Sequence, residues 1–172
     1  PVTTAITSTH RQAVIGSLTI VGALLACNVA RPASAQTLDP TFAPSLSDTV
    51  RTVAMQPDGH IVVGGDFRQV SGQPRPFLAR LRADGTVASA PAMPDNRVEA
   101  IAVQADGKMI IGGDFETVGG VPRHYVARLL PDGQIDPVFQ PAIGYNAGIH
   151  VTHVAVHANG TVMVAGGFDS VS

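Results

Sequence analysis

QPDGHIVVGGDF, Gln56 to Phe67, returns as QADGKMIIGGDF at Gln104 to Phe115 and, altered, as HANGTVMVAGGF at His157 to Phe168. The match runs well beyond the dozen residues. From Val50 and Val98 onward, Pro74-Arg75 aligns with Pro122-Arg123, Ala79-Arg80-Leu81 with Ala127-Arg128-Leu129, and Asp84-Gly85 with Asp132-Gly133, all at an offset of 48 residues. The third copy starts at Val151 and is displaced by 53 residues from the second (Gly107 to Gly160), with the surplus in the Gly/Asn-rich connector AIGYNAGIH. Insertions confined to a connector are what a loop outside a packed unit allows. An internal period near 50 residues marks a repeat architecture, and it decides the fold before any single element is assigned.

Each copy predicts four short strands. In VEAIAVQ, alternation puts Val98, Ala100, Ala102 and Gln104 on one face and Glu99, Ile101 and Val103 on the other, ending at the hairpin signal Ala105-Asp106-Gly107. KMIIGGDF follows, apolar on both sides as a strand covered on both faces is. Its glycine pair, Gly112-Gly113 (Gly64-Gly65 in the first copy), has no side chain to pack and so lets a neighbouring backbone come close. A loop ETVGGVPRH, a third strand YVARLL, an Asp-Gly turn and a short fourth segment QIDPVF complete the unit. The predicted class is all-β: a partial β-propeller of repeated four-stranded blades, preceded by a signal-peptide helix. Residues 36–172 hold about two full blades and the start of a third, whereas propellers use roughly 4 to 8. The remaining blades of a longer parent chain are therefore expected partners.

The first thirty-five residues differ in kind. AVIGSLTIVGALLA, Ala13 to Ala26, is an uncharged run, too short to span a bilayer and of the length of a signal-peptide core. Pro32 follows, and Ala33-Ser34-Ala35 offers the small-x-small pattern of a signal peptidase site, with cleavage leaving Gln36 first. The rival is LLAC, Leu24 to Cys27, which resembles a lipobox and would make Cys27 a lipidated first residue of an outer-membrane or surface lipoprotein. Cleavage after Ala35 is the preferred reading. It predicts a secreted, surface or periplasmic protein without cysteine and without a membrane span. Pro1 is not an initiator, so the N-terminus is expected to be incomplete.

Composition excludes several classes. The formal net charge is −2, with 11 Lys and Arg against 13 Asp and Glu spread along the chain, so there is no basic footprint for nucleic acid. GGDF lacks the Glu and the α/β context of a cyclase signature, and it recurs once per blade. The Asp-Gly pairs lack the alternating oxygen ligands of a calcium loop; Gly with positive φ and Asp bonding the local backbone account for them. His150, His153 and His157 cluster in sequence, but His153 and His157 would lie about 13 Å apart along a strand, too far to share a metal. No GxSxG elbow is present. No metal, cofactor or catalytic residue is assigned.

At this point the linked motifs LDPTF (Leu38 to Phe42), IDPVF (Ile135 to Phe139), QPDGHIVVGGDF and LARLRADG together resemble the delta-60 repeat, a propeller module of secreted and surface proteins, largely bacterial. The likeness covers Leu38 to Ser172. The first copy departs from it by ending in TVASAPAMP, and the third carries Gly167 where the strand Asp stands. The repeat positions Asp58, Gly59, Gly64, Gly65, Asp66, Phe67 and Arg80, with Asp106, Gly107, Gly112, Gly113, Asp114, Phe115 and Arg128, read as structural. Asp66 and Arg80, like Asp114 and Arg128, are 14 residues apart on neighbouring strands; an ion pair that orients the loop is the preferred reading over a carboxylate that binds metal or sugar. The loops from Arg68 to Arg75 and from Glu116 to His124, with Arg123 between, form the rim where a protein or glycan would dock. The expected function is a non-catalytic binding, scaffold or adhesion module. The other class considered is a secreted glycan hydrolase or lyase whose active site lies in further blades.

Overall fold

The computed structural model describes residues 42–141, 143 and 149–167. The predicted signal peptide (1–35), Cys27 and the cleavage residues Ala33, Ala35 and Gln36 lie outside them. The described residues fold into strands joined by turns. The first copy supplies β1 (Val50–Met55), β2 (Ile61–Gly65), β3 (Gln69–Val70), β4 (Gln73–Pro74) and β5 (Leu78–Leu81). The second supplies β6 (Val98–Val103), β7 (Met109–Gly113), β8 (Thr117–Val118), β9 (Val121–Pro122) and β10 (Val126–Leu129), and the third β11 (His150–Val156) and β12 (Val162–Gly167).

The sheets are antiparallel, in the orders β1-β2-β5, β6-β7-β10 and β11-β12. The expected fourth strand is reduced to one bridge per copy, Leu81 with Val87 and Leu129 with Ile135. In the second copy Pro137 stands two residues after the bridge, and proline has no N–H to extend a ladder. ETVGGVPRH, expected as a loop, is a hairpin, with β8 paired to β9 and β3 paired to β4 in the first copy. Both turn residues have positive φ, Ser71 at 49° with Gly72 at 77° and Gly119 at 58° with Gly120 at 77°, as a two-residue type I′ turn requires.

The alternation expected for VEAIAVQ is broken by a bulge at its second residue. Val98 faces Gly113 and Ala100 faces Gly112, leaving Glu99 unpaired; Arg51 and Thr152 take the same place in β1 and β11. One extra residue shifts the phase of every side chain after it. Val98 thus joins Ile101 and Val103 in one core cluster. Over Gly112, a Cβ would meet Val151 and Val154 at 2.7 Å each, two residues three apart that an unbroken strand would hold on opposite faces.

Those valines form the joints. The largest core cluster unites Val62 and Leu78 of the first copy with Val98, Met109 and Ile111 of the second; another unites Ile110 and Val126 of the second with Val151 of the third. The apolar core therefore lies between successive copies as well as within them, which is how propeller blades bury their faces. In the first copy Val50, Val53 and Met55, which align with Val98, Ile101 and Val103, are exposed. The next position, glycine in all three copies, serves the bulge: a Cβ on Gly65, Gly113 or Gly166 would strike the carbonyl oxygen of Thr49, Arg97 or His150.

Candidate functional site

The strands set two ends apart. The Asp-Gly turns precede β2 and β7, whereas the hairpins follow them, so turns and hairpins lie at opposite ends of the sheets. At the turn end, the backbone amides of His60, Thr86, Lys108 and Gln134 donate to the carboxylates of Asp58, Asp84, Asp106 and Asp132 at 2.9–3.1 Å. The glycines that follow those aspartates have φ between 81° and 91°. Backbone geometry explains why Asp-Gly recurs there.

Each hairpin is held by one side chain from the segment before its copy's first strand. The Ser47 hydroxyl accepts from the amides of Arg68 and Gln69, both at 3.0 Å. Asp95, its counterpart 48 residues on, accepts from the amides of Glu116 and Thr117 at 2.9 and 3.1 Å and from the Thr117 hydroxyl at 3.0 Å. Burial pushes the Asp95 carboxyl up, but the bonds from Thr117 and Glu116 outweigh it and hold its pKa below the ordinary 3.8. Behind the hairpins, Phe77 and Tyr125 are buried with φ of 65°. Non-glycine residues rarely hold that conformation, at a cost of about 1–3 kcal/mol.

On this common frame the rim side chains differ. The Arg68 guanidinium lies 4.8 Å over the Phe77 ring, where the second copy has Glu116 and Tyr125. Arg75 and Arg123 agree: Nη1 of each donates to the preceding proline carbonyl, Pro74 at 2.7 Å and Pro122 at 2.8 Å. Nε of both is buried without a hydrogen-bond partner. His124 lies beside Tyr125, ring centroids 6.2 Å apart. Exposed Gln73 in one copy corresponds to exposed Val121 in the other.

The expected pairs Asp66–Arg80 and Asp114–Arg128 do not form. Arg80 stands opposite Val62 in the β2–β5 ladder, four residues up the strand from Asp66, a separation of roughly 13 Å. Asp66 instead takes Arg51 at 2.8 Å, and Asp114 takes Arg97 at 2.5 Å. Glu99, on the bulge, joins the two, accepting a hydrogen bond from Arg51 at 3.3 Å and forming an ion pair with Arg97 at 3.1 Å. A run of alternating charge, Asp66, Arg51, Glu99, Arg97, Asp114, thus crosses the joint between two copies. In the third copy a Cβ on Gly167 would stand 2.7 Å from the His150 ring, so the imidazole fills the space of the absent carboxylate.

Arg80 and Arg128 act at the turn end, and differently from each other. Arg80 Nε donates to Gln56 Oε1 at 2.6 Å and Nη2 to Asp58 at 2.5 Å, while the Gln56 amide donates across the joint to the carbonyls of Gly107 and Pro131 at 3.3 and 3.4 Å. Arg128 bonds Asp136 at 2.9 Å and lies 4.7 Å over the Phe139 ring. Asp136 aligns with Ala88, so TVASAPAMP offers Arg80 no carboxylate and it turns to Gln56 and Asp58. Sequence reading assigned no role to Ser47, Arg51, Gln56, Asp95, Arg97, Glu99 or Asp136. The recurrence of a polar residue at 47 and 95 and of Gln at 56 and 104 was the available signal.

Among the described residues no group of three or more His, Cys, Asp or Glu side chains is placed to hold a metal ion, and no helix is long and apolar enough to cross a membrane. Residues 56–87 and 104–139 match the family model described as domain of unknown function (DUF5122) beta-propeller. No curated protein matches the chain. The two matched stretches coincide with the first and second copies from turn to fourth segment. The chain's described residues form an all-β fold built of β-propeller repeats.

Proposed function

We propose that the chain is an exported, non-catalytic propeller module of the delta-60 kind whose hairpin ends dock a protein or glycan, as a binding, scaffold or adhesion surface. The observation that carries this reading is the contrast within the hairpins. Backbone, turn type and the position of the anchoring residue are common to Gln69–Pro74 and Thr117–Pro122, while exposed side chains differ, with Arg68 and Gln73 against Glu116 and Val121. Fixed backbone with varied exposed side chains suits recognition, because binding residues are commonly carried on loops held by a rigid scaffold. The exposed Val50, Val53 and Met55 further suit contact with another blade. Export rests on the apolar run Ala13 to Ala26 and the Ala33-Ser34-Ala35 site that follows it.

Exchanging residues 68–76 and 116–124 for neutral hairpins of the same turn type, in the full chain, tests the docking surface. Glycan-array and cell-surface binding are expected to be lost while the fold persists; unchanged binding would overturn the assignment. N-terminal sequencing of the exported protein is expected to begin at Gln36. A lipid-labelled Cys27 would replace that reading with a lipoprotein.

A further inference from the structure

We propose that Gln104 and Asp106, in the turn between β6 and β7, form a receptor for the guanidinium group of a ligand, distinct from the hairpin rim and at the opposite end of the strands. The first copy supplies the template. There an amide oxygen and a carboxylate oxygen two residues apart, Gln56 Oε1 and Asp58 Oδ2, clasp the Arg80 guanidinium at 2.6 and 2.5 Å. The second copy repeats both acceptors but not the occupant. Its own arginine, Arg128, is held away by Asp136, the carboxylate that Ala88 denies to the first copy.

Two consequences point to a ligand. Gln104 Oε1 is buried without a hydrogen-bond partner, a state that costs free energy until a donor arrives. Next to it, Gln104, Asp106, His157 and Asn159 line a cavity of about 410 Å³ between the turns of the second and third copies. Lys108 bonds Asp106 Oδ2 at 3.0 Å, but that pair is at the surface and a carboxylate accepts about four hydrogen bonds, so a place remains. A planar, charged group with several N–H donors satisfies an amide oxygen and a carboxylate together, which an ammonium does less well. The shared chemistry is guanidinium, from a small metabolite or from an arginine side chain of a peptide.

The test uses the full chain and two probes, agmatine and an arginine capped at both ends, with capped citrulline as the uncharged counterpart. In a two-dimensional amide NMR titration, saturable shifts are expected at Gln104, Asp106, Lys108 and His157 to Gly160, with citrulline weaker by about tenfold or more. Response to agmatine assigns a small-molecule source as sufficient; response to capped arginine alone assigns a peptide. Asp136→Ala should weaken binding by a similar factor, because Arg128 is then released to occupy the clasp as Arg80 does. Asp106→Asn, on an exposed turn, should also weaken it and serves if Asp136→Ala fails to fold. Absence of localised shifts, equal response to citrulline, or unchanged binding in a folded Asp136→Ala or Asp106→Asn protein would overturn the proposal.

Discussion

Val98 occupies the space that a side chain at Gly64 would need: a Cβ there would stand 2.7 Å from Val98 Cγ1 and 2.9 Å from Thr52 Cγ2. Gly112 stands in the same relation to Val151 and Val154. Gly64→Ala and Gly112→Ala should each destabilise the chain by about 1–3 kcal/mol, the usual cost of overpacking a filled core. Urea unfolding measures it. Combining Gly64→Ala with Val98→Ala should cost less than the sum of the two single changes, since the clash is then relieved.

Gln56 is buried and joins Arg80 to two carbonyls of the next copy. Gln56→Ala leaves a buried guanidinium nitrogen and both carbonyls short of a partner and should cost about 1–3 kcal/mol. The loss should appear in equilibrium unfolding of the whole repeat pair, because the bonds cross the joint.

Acid should weaken the fold. Asp58, held low chiefly by the His60 amide, Asp106, chiefly by the Lys108 side chain, and Asp136, chiefly by the Val138 amide, all lie below 3.8. Asp95 is also low, its hydrogen bonds overcoming the upward effect of burial. With a folded pKa below the unfolded one, the folded state binds fewer protons, so the stabilisation is present above the unfolded value and is lost as pH falls through the folded one. Unfolding free energy measured in urea should therefore fall below about pH 4. Asp95→Ser, which copies Ser47, should keep the hairpin and flatten the acid slope.

Glu99 forms ion pairs with Arg51 and Arg97 near the surface, at 3.3 and 3.1 Å. Glu99→Gln should cost no more than about 1 kcal/mol, and the cost should shrink in molar salt, where exposed charges are screened. A large, salt-insensitive loss would show that the bulge itself depends on this carboxylate.

The repeat made the all-β propeller class legible, because strand signals and turn signals recurred together at one offset. The bulge hid in the same residues. Val98-x-x-Ile101-x-Val103 recurs as Val50-x-x-Val53-x-Met55 and Val151-x-x-Val154-x-Val156, a spacing of three then two that plain alternation cannot produce. The ion pairs are not legible, because separation along the chain does not report which end of an antiparallel strand a residue occupies: Asp66 and Arg80 sit near opposite ends. The hairpins look like loops in the sequence because their strands are two residues long, too short for periodicity to register. The different fates of Arg80 and Arg128 depend on one distant substitution, Ala88 against Asp136, whose effect appears only when the outer segment folds back on the sheet.

Each joint is made from a glycine of one unit and a valine of the next, and the first two units carry both halves. A duplicated unit therefore brings its own glycine and valine to the new joint, whereas the charge contact of Arg51 with Glu99 holds only for this order of units, because the two residues occupy the same place in their copies. Ala165, standing where Gly64 and Gly112 stand, marks the unit at which such a joint would meet a methyl group.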